Sequence, residues 1–252
     1  MSHTFYALEQ LVLRDFKIRY RNMSLGVLWS LVNPLVLVGV YSFVFTKIFP
    51  NQSIAHFPLF ILIGIICFNY FSLAWTSATN SITSNSGLVK RVNVPREVIP
   101  LSAVLSNGIH FLMQFGLVLI FTLFSGLPVG LSWLCLPAVV LLLLLAVSGL
   151  ALLTSALDVY FRDTRYLVES VVLVLFWLTP IFYSEKMVPA PYRTFYMLNP
   201  VAGVAIAMRQ IVLEQRIPDF TPLFYASLTT GALLIIGNAL FHELKKRFAD
   251  HL

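Results

Sequence analysis

The chain has 252 residues, of which 58% are hydrophobic and only 11% are charged, and its formal net charge is +6. Soluble domains carry about 25% charged residues, and one water-soluble core of this length cannot bury so much apolar surface, so the composition excludes an ordinary soluble protein and predicts a membrane protein. Nucleic acid is not predicted as a partner, because the basic residues stand beside apolar segments, where they set membrane orientation.

Residues 1–24 predict an amphipathic helix that lies in the membrane interface. The side chains on one side of this helix are apolar or aromatic, and they are Phe5, Leu8, Leu11, Val12, Phe16 and Tyr20. The opposite side carries Gln10, Arg14, Lys17 and Arg21. Asp15 and Arg19 interrupt the apolar side and stand four residues apart, where they can pair. A membrane anchor and a docking surface for a partner are alternative roles for this helix.

Six later segments are long and apolar enough to be transmembrane helices, since a bilayer core needs about 20 apolar residues per helix. Their predicted ranges are 27–47, 57–78, 99–125, 132–157, 166–184 and 221–242. With the N-terminus inside, 12 of the 17 Lys and Arg residues fall on the cytoplasmic side. This bias predicts that both termini are cytoplasmic.

Residues 185–220 separate the fifth and sixth predicted spans. They contain a helix-like apolar run after Pro200 that is too short to cross a bilayer core of about 30 Å at 1.5 Å per residue. Backbone at that depth must be covered by protein or line a wet cavity. The segment therefore predicts a re-entrant or interfacial hairpin on the outer side, and the fold class is an all-α integral membrane protein.

The stretch GLVKRVNVPREVIP, residues 87–100, interrupts two long segments, 48–89 and 98–157, that contain no Asp, Glu, Lys or Arg. Charge is tolerated in a cytoplasmic elbow, whereas a Lys or Arg at the bilayer centre costs about 2.5–3.5 kcal/mol. A positive-inside anchor accounts for Lys90 and Arg91. It does not require Arg96 and Glu97 between two prolines, which restrict the residues before them.

Sequence motifs for catalysis are absent. The chain has no Gly-Lys dipeptide and therefore no phosphate-binding loop, no metalloprotease or serine-hydrolase motif, and no Cys/His cluster. Acidic residues do not occur in the middle of any predicted span, so neither paired carboxylates nor a membrane proton relay is predicted. The sequence predicts a protein that is not itself an enzyme and has no metal site.

Polar and aromatic side chains within the spans offer two candidate linings. His110 shares one face of span three with Ser106, Asn107 and Gln114, which predicts either a lining for a hydrophilic substrate or interhelical hydrogen bonds of about 0.6 kcal/mol each. Aromatic side chains lie in span one and around Pro180 in span five, where a kink would widen the bundle. Such rings suit the apolar faces of sugars. The predicted path lining comprises Tyr41, Phe45, His110, Phe176, Trp177, Phe182 and Tyr183.

An ordered set of motifs resembles a known family. RYRNMSLGVLWSLVNPLVLVGVYSFVFTKIF is followed by the elbow, then by DVYFRDTRY, LTPIFYS and LNPV. From about Leu11 to Phe241 the chain resembles the membrane subunit of ABC-2-type polysaccharide exporters, the O-antigen, teichoic-acid and capsule permeases. The resemblance implies one transmembrane domain over residues 1–252. Its parts are an interface helix (1–24), spans one to five (25–184), outer gate helices (185–220), span six (221–244) and a cytoplasmic tail (245–252).

The resemblance also implies partners. Such subunits form homodimers in the bacterial cytoplasmic membrane and bind two copies of a separate ATPase, which holds ATP and Mg²⁺, so this chain needs no cofactor of its own. The elbow is implied to be the coupling helix and the interface helix a second contact. The implied coupling residues are Lys90, Arg91, Pro95, Arg96, Glu97, Arg14, Lys17 and Arg21. A salt bridge between Arg96 and Glu97 is the alternative use of that pair.

The function that the resemblance implies is export of a polyprenyl-linked polysaccharide. Export of a small lipophilic compound by the same scaffold is one alternative. A membrane-embedded transferase that acts on lipid-linked sugars is another, although it would need acids or a nucleophile facing a cavity. A structural membrane scaffold is a third.

Overall fold

The computed structural model describes residues 2–21, 26–48, 54–91 and 95–248. These residues contain helices and no strand, which confirms the predicted all-α class. The helices are α1 (Ser2–Tyr20), α2 (Trp29–Phe43), α3 (Phe57–Thr79), α4 (Ser81–Ser84), α5 (Ser86–Arg91), α6 (Val98–Phe124), α7 (Leu136–Tyr160), α8 (Thr164–Leu178), α9 (Ala190–Met197), α10 (Pro200–Val212) and α11 (Phe220–Leu244).

Five helical segments among the described residues are long and apolar enough to cross a membrane. They are Trp29–Ile48, Phe57–Thr79, Val98–Phe124, Leu131–Tyr160 and Phe220–Arg247, and each begins within two residues of a predicted span. A sixth is present only if α9 and α10 count as one segment, and these two helices are bent by 99° to each other. The bent pair matches the short re-entrant helices predicted between the last two spans.

The predicted fifth span, 166–184, extends six residues past the C-terminal end of the helix in the structure, since α8 ends at Leu178. Helix α8 has 15 residues, which at 1.5 Å each cover about 22 Å, less than a bilayer core of about 30 Å. The helix ends because Thr179 has extended backbone angles (φ −87°, ψ 132°) before Pro180, and a proline disfavours the helical conformation of the residue that precedes it. The predicted kink at Pro180 is therefore a helix end.

Helix α3 forms the centre of the bundle. Of its apolar window 78% is buried, and α2, α6, α7, α8 and α10 pack around it. A second core, at the end of the bundle where α3 leads into α4, joins residues from α1, α4, α6, α7 and α11. We call this group the second core, and it comprises Leu11, Ile82, Val98, Ile99, Leu152, Ala156, Val159, Phe241 and Phe248.

Helices α7 and α11 cross in backbone contact at a pair of glycines. A Cβ atom on Gly149 would lie 2.7 Å from the carbonyl carbon of Leu233, and one on Gly237 would collide with the carbonyl oxygen of Gly149. Small residues allow such close approach between membrane helices, where dispersion contacts stabilise the pair. The most extensive helix contact in the described chain thus requires glycine at both positions.

We expect Gly237→Val to lower the melting temperature of the purified protein by about 6–12 °C, since overpacking against rigid backbone costs up to about 3 kcal/mol and each kcal/mol shifts a chain of this size by about 2–4 °C. The matched control is Gly231→Val on the same helix, because a Cβ atom there meets nothing within 4 Å. Thermal unfolding in detergent would measure both variants. Equal melting temperatures for the two would contradict the close crossing.

Candidate functional site

The predicted coupling elbow, residues 87–100, comprises most of α5, the turn that follows it and the start of α6. Lys90 is exposed near the end of α5, and Pro95 is exposed before α6. The side chain of Arg91 and residues 92–94 lie outside the described residues. The described part of the elbow therefore presents Lys90 and Pro95 at its surface.

Arg96 and Glu97 contact the end of the last helix. Arg96 Nη1 donates to the carbonyl oxygen of Lys245 at 2.5 Å, and its guanidinium carbon lies 5.7 Å from the centroid of the Phe248 ring. Glu97 Oε2 accepts from Lys245 Nζ at 3.4 Å. Within the described residues these two side chains do not pair with each other, so the alternative of a local salt bridge is wrong, and both instead contact Lys245, almost 150 positions away.

Two aromatic residues complete this contact. The Tyr160 hydroxyl donates to the carbonyl oxygen of Leu244 at 2.8 Å. Phe248 is fully buried, with its ring centroid 5.7 Å from that of Phe241 and 6.3 Å from that of Tyr160. Arg96 and Tyr160 thus donate to two carbonyl oxygens at the end of the last helix, where that of Lys245 also accepts from the Phe248 backbone N–H.

We call Arg96, Glu97, Tyr160 and Phe248 the C-terminal clamp. It joins the elbow, the end of α7 and the end of α11 into one unit. The sequence interpretation assigned residues 245–252 to a tail and missed the clamp. The available signal was Phe248, an apolar side chain placed directly after Lys245, Lys246 and Arg247.

Helix α1 packs mainly on α6, and one predicted pair on it is wrong. Asp15 accepts from Arg14 at 2.8 Å, and Arg19 is not its partner. The side chains of Lys17 and Arg21 are exposed. The predicted cationic face of α1 is therefore exposed at these two positions, whereas Arg14 pairs with Asp15 on the same helix.

The end of α1 is joined to α6, the third predicted span, by a half-buried polar contact. The Tyr20 hydroxyl forms a hydrogen bond with His110 Nδ1. Burial raises the pKa of the Tyr20 phenol, so the hydroxyl stays protonated at neutral pH and can donate to the imidazole. His110 thus holds the interface helix and lies apart from the predicted aromatic lining.

The polar side chains on one face of α6 make two kinds of contact, and they are Ser106, Asn107, His110 and Gln114. Gln114 Nε2 donates to the carbonyl oxygen of Ser30 at 2.9 Å. Together with His110, this contact realises the predicted interhelical hydrogen bonds. Ser106 and Asn107 instead line a cavity under α1.

Five of the predicted lining residues meet in one aromatic cluster centred on Phe182. Its ring centroid lies 4.5 Å from Tyr41, 5.8 Å from Phe45, 5.5 Å from Phe176 and 6.4 Å from Trp177. Phe182 is only 7% exposed, whereas Trp177 is 66% exposed. The cluster therefore packs α2 against α8 through its centre and presents its edge at Trp177.

Tyr183 turns from this cluster towards the bent helix pair. Its hydroxyl donates to the carbonyl oxygen of Trp177 at 3.1 Å and forms a hydrogen bond with the hydroxyl of Tyr196 on α9. Burial and the neighbouring Tyr196 hydroxyl raise the pKa of Tyr183, so the phenol stays neutral. Tyr183 thus links the end of α8 to α9.

A buried arginine on α10 holds the bent pair in place. Arg209 is 3% exposed. Its guanidinium donates to the carbonyl oxygens of Phe60 (3.2 Å), Pro180 (2.6 Å) and Ile181 (3.0 Å), and it lies 3.4 Å from the centroid of the Phe60 ring. No carboxylate in the described residues pairs with it. Carbonyl dipoles and the ring face therefore stabilise the cation.

The Arg209 site also requires a glycine on α3. A Cβ atom on Gly64 would lie 2.7 Å from Arg209 Nη2. The sequence interpretation counted Arg209 only among the outer basic residues and missed its role. The signal was a single arginine within the apolar run VAGVAIAMRQIV.

The turn from α10 into α11 is fixed by polar contacts. Gln210 Nε2 donates to Asp219 Oδ2 at 2.7 Å, and the Asp219 backbone N–H donates to Gln210 Oε1 at 2.8 Å. The adjacent Arg216 guanidinium lowers the pKa of Asp219, which therefore stays ionised at neutral pH. Two adjacent residues of α10 thus connect it to the segments on either side, Arg209 to the end of α8 and Gln210 to the start of α11.

The amino-acid sequence matches a known protein family and several named relatives. The family described as ABC-2 type transporter matches residues 6–213. The chain is 30% identical over 252 residues to the O-antigen export system permease protein RfbA of Klebsiella pneumoniae, covering 99% of this chain and 96% of that protein. It is 29% identical to RfbA of Myxococcus xanthus, with 96% and 94% covered. It is 26% identical to the polysialic acid transport protein KpsM of Escherichia coli, with 92% and 91% covered.

Proposed function

The chain belongs to the ABC-2 type transporter family, and on that premise we propose that it is the permease subunit of an exporter that moves a polyprenyl-linked polysaccharide across the bacterial cytoplasmic membrane. The observation that carries the proposal is the near full-length similarity to relatives named for O-antigen export and polysialic acid transport. It agrees with the aromatic cluster, because ring faces suit the apolar faces of sugars.

ATP is bound and hydrolysed, in this proposal, by two copies of a separate ATPase subunit. The sequence contains no phosphate-binding loop, so the energy must come from a partner. Lys90 and Pro95 on the elbow, with Lys17 and Arg21 on α1, are exposed and able to contact that partner. Arg96 and Glu97 are engaged by the C-terminal clamp, and we assign them the transmission of movement from the elbow rather than direct contact.

The transported glycan passes between two copies of the chain. Support comes from α2 and α8, which together carry the edge of the aromatic cluster and leave large apolar side chains exposed. Phe43 is 60% exposed, Leu173 is 65% exposed and Trp177 is 66% exposed. A second copy would cover part of these faces, and the aromatic edges would line the path.

Movement reaches the membrane helices through the clamp. The positive-inside distribution supports a cytoplasmic location for the elbow and both termini. When the ATPase pair closes, the elbow tilts, and the clamp moves α7 and α11 with it. A bound substrate alone cannot drive net export, so transport needs two states whose balance ATP changes.

Affinity purification of the tagged chain in mild detergent tests the class of the protein. We expect an ABC-type ATPase in equal amount, and Lys90→Glu should lower its recovery at least fivefold because the substitution reverses charge at the exposed elbow. Lys47→Glu is the matched control, since Lys47 is exposed at the opposite end of the bundle. Purified chain that modifies a lipid-linked sugar without any ATPase would favour the transferase instead.

A further inference from the structure

A polar cavity of about 340 Å³ lies beneath α1, between α1, α4 and α6. Pockets that hold small ligands have volumes of about 300–1,000 Å³. The polar side chains that line the cavity include Asp15, Arg19, Ser81, Ser84, Ser106 and Asn107. Because the cavity is walled by the interface helix, it lies at the depth of the lipid headgroups.

Asn107 leaves one buried acceptor without a partner. The residue is 2% exposed, and its Nδ2 donates to the carbonyl oxygen of Ala103 at 2.8 Å. Its Oδ1 has no hydrogen-bond partner among the described residues. The contact with Ala103 defines which end of the amide is nitrogen. A buried acceptor without a donor costs about 1–3 kcal/mol, so a ligand that donates here would be favoured.

Arg19 supplies a positive charge to the same cavity. Its side chain is half-buried, and none of the described carboxylates lies within salt-bridge distance of it. Asp15, which lines the same cavity, is already paired with Arg14 at 2.8 Å. The guanidinium therefore has donors available for an anion, and its planar geometry suits the oxygens of a phosphate.

We propose that this cavity binds a phosphate-bearing lipid headgroup. Arg19 donates to the phosphate oxygens, and Asn107 Oδ1 accepts from a hydroxyl or ammonium group of the same headgroup. Ser81, Ser84 and Ser106 provide the polar wall around it. The contact between Tyr20 and His110 holds α1 over the cavity and so fixes the position of Arg19.

Two kinds of lipid carry this chemistry. One is a membrane phospholipid with glycerol or ethanolamine, and the other is a polyprenyl diphosphate bonded to a sugar. The second source rests on the proposed function and would make the cavity a loading position for the glycan. The chemistry of the site is the same for both lipids.

Native mass spectrometry of the isolated, delipidated permease tests the site. The detergent is a polyoxyethylene ether, which contains neither phosphate nor sugar. The added probes are phosphatidylglycerol, phosphatidylethanolamine and a short polyprenyl diphosphate that carries one sugar. We expect one phosphate lipid retained per chain, with occupancy at least fivefold lower in Arg19→Gln.

A matched control separates the site from general attraction to charge. Lys17→Gln removes the same charge from the same helix, but Lys17 is exposed and does not line the cavity, so its occupancy should equal that of the unmodified chain. Asn107→Asp keeps the side-chain size and adds a negative charge, and it should lower occupancy at least tenfold. Unchanged elution and melting profiles would show that each variant is folded.

Three results would overturn the proposal: no lipid retained by the unmodified chain, full retention by Arg19→Gln, or equal losses in Arg19→Gln and Lys17→Gln. Competition between the probes then assigns the source. If the polyprenyl diphosphate displaces phospholipid at a tenfold lower concentration, the ligand is the substrate. If it does not, the ligand is a membrane lipid. No ATPase is present, so this result is independent of the purification that tests the proposed function.

Discussion

Arg209→Met is expected to lower the melting temperature of the purified protein by about 10 °C or more and to abolish export. The substitution leaves the carbonyl oxygens of Pro180 and Ile181, which lie outside the helices, without their Arg209 donor in a site that is 3% exposed at Arg209, and it removes a second donor from the helical carbonyl of Phe60. Each buried polar group left without a partner costs about 1–3 kcal/mol, and the carbonyls share one donor, so the total is less than the sum of separate losses. Thermal unfolding in detergent would measure the effect.

Arg193→Met is the matched control for Arg209→Met. Arg193 also donates to two carbonyl oxygens, those of Val188 (2.8 Å) and Lys186 (2.9 Å), but its side chain is exposed, so water can replace it. We expect this control to melt within about 2 °C of the unmodified chain, since exposed substitutions change stability by about 0.5 kcal/mol or less. If Arg209→Met melted as high as the control, the buried cation would not hold the bent helix pair.

Phe248→Ala is expected to uncouple ATP hydrolysis from export in the complex with the ATPase. Phe248 is fully buried between Tyr160, Phe241 and the Arg96 guanidinium. Truncating a buried Phe costs about 3–5 kcal/mol, and here the loss falls on the contact between the elbow and α11. Export should decrease at least fivefold, whereas ATP hydrolysis by the assembled complex should stay within twofold. Both would be measured in proteoliposomes.

Smaller changes in the C-terminal clamp should act in the same direction. Tyr160→Phe removes the hydroxyl that donates to the carbonyl oxygen of Leu244, a hydrogen bond worth about 1 kcal/mol, and the double variant Arg96→Gln with Glu97→Gln removes both charged contacts to Lys245. The control is Phe220→Ala, at the other end of α11, where the ring is 77% exposed. A parallel loss of ATP hydrolysis and export would instead place the clamp in ATPase docking.

The positions of most spans could be read from the sequence, because crossing a bilayer is a local requirement. A run of about 20 apolar residues satisfies it whatever the rest of the chain does. Helix α3 and helix α6 begin within one residue of their predicted starts for this reason. The same local logic identified the elbow, since charge interrupts the longest uncharged segments there, and the short hairpin before the last span.

The C-terminal end of α8 could not be predicted from the local sequence alone. The apolar run continues past Leu178, so hydropathy predicts helix to residue 184. The backbone leaves the helix at Thr179, and the carbonyl oxygens of Pro180 and Ile181 accept hydrogen bonds from the guanidinium of Arg209, about 30 residues later. Pro180 indicated that the helix is interrupted near this position. Whether the interruption is a kink or a helix end depends on whether a residue distant in sequence can donate to the carbonyl groups that leave the helix, and here Arg209 does so.

The sequence by itself determined that this chain is an all-α membrane protein, where its apolar spans begin, and which residues carry charge between them. Only the tertiary structure decided which partners those charges take. Arg96 and Glu97 contact Lys245. Asp15 pairs with Arg14 rather than with Arg19, and His110 forms a hydrogen bond with Tyr20. Hydropathy acts on each segment separately through the bilayer, whereas a hydrogen bond needs two groups within about 3 Å, and helix packing alone brings residues 96 and 245 that close.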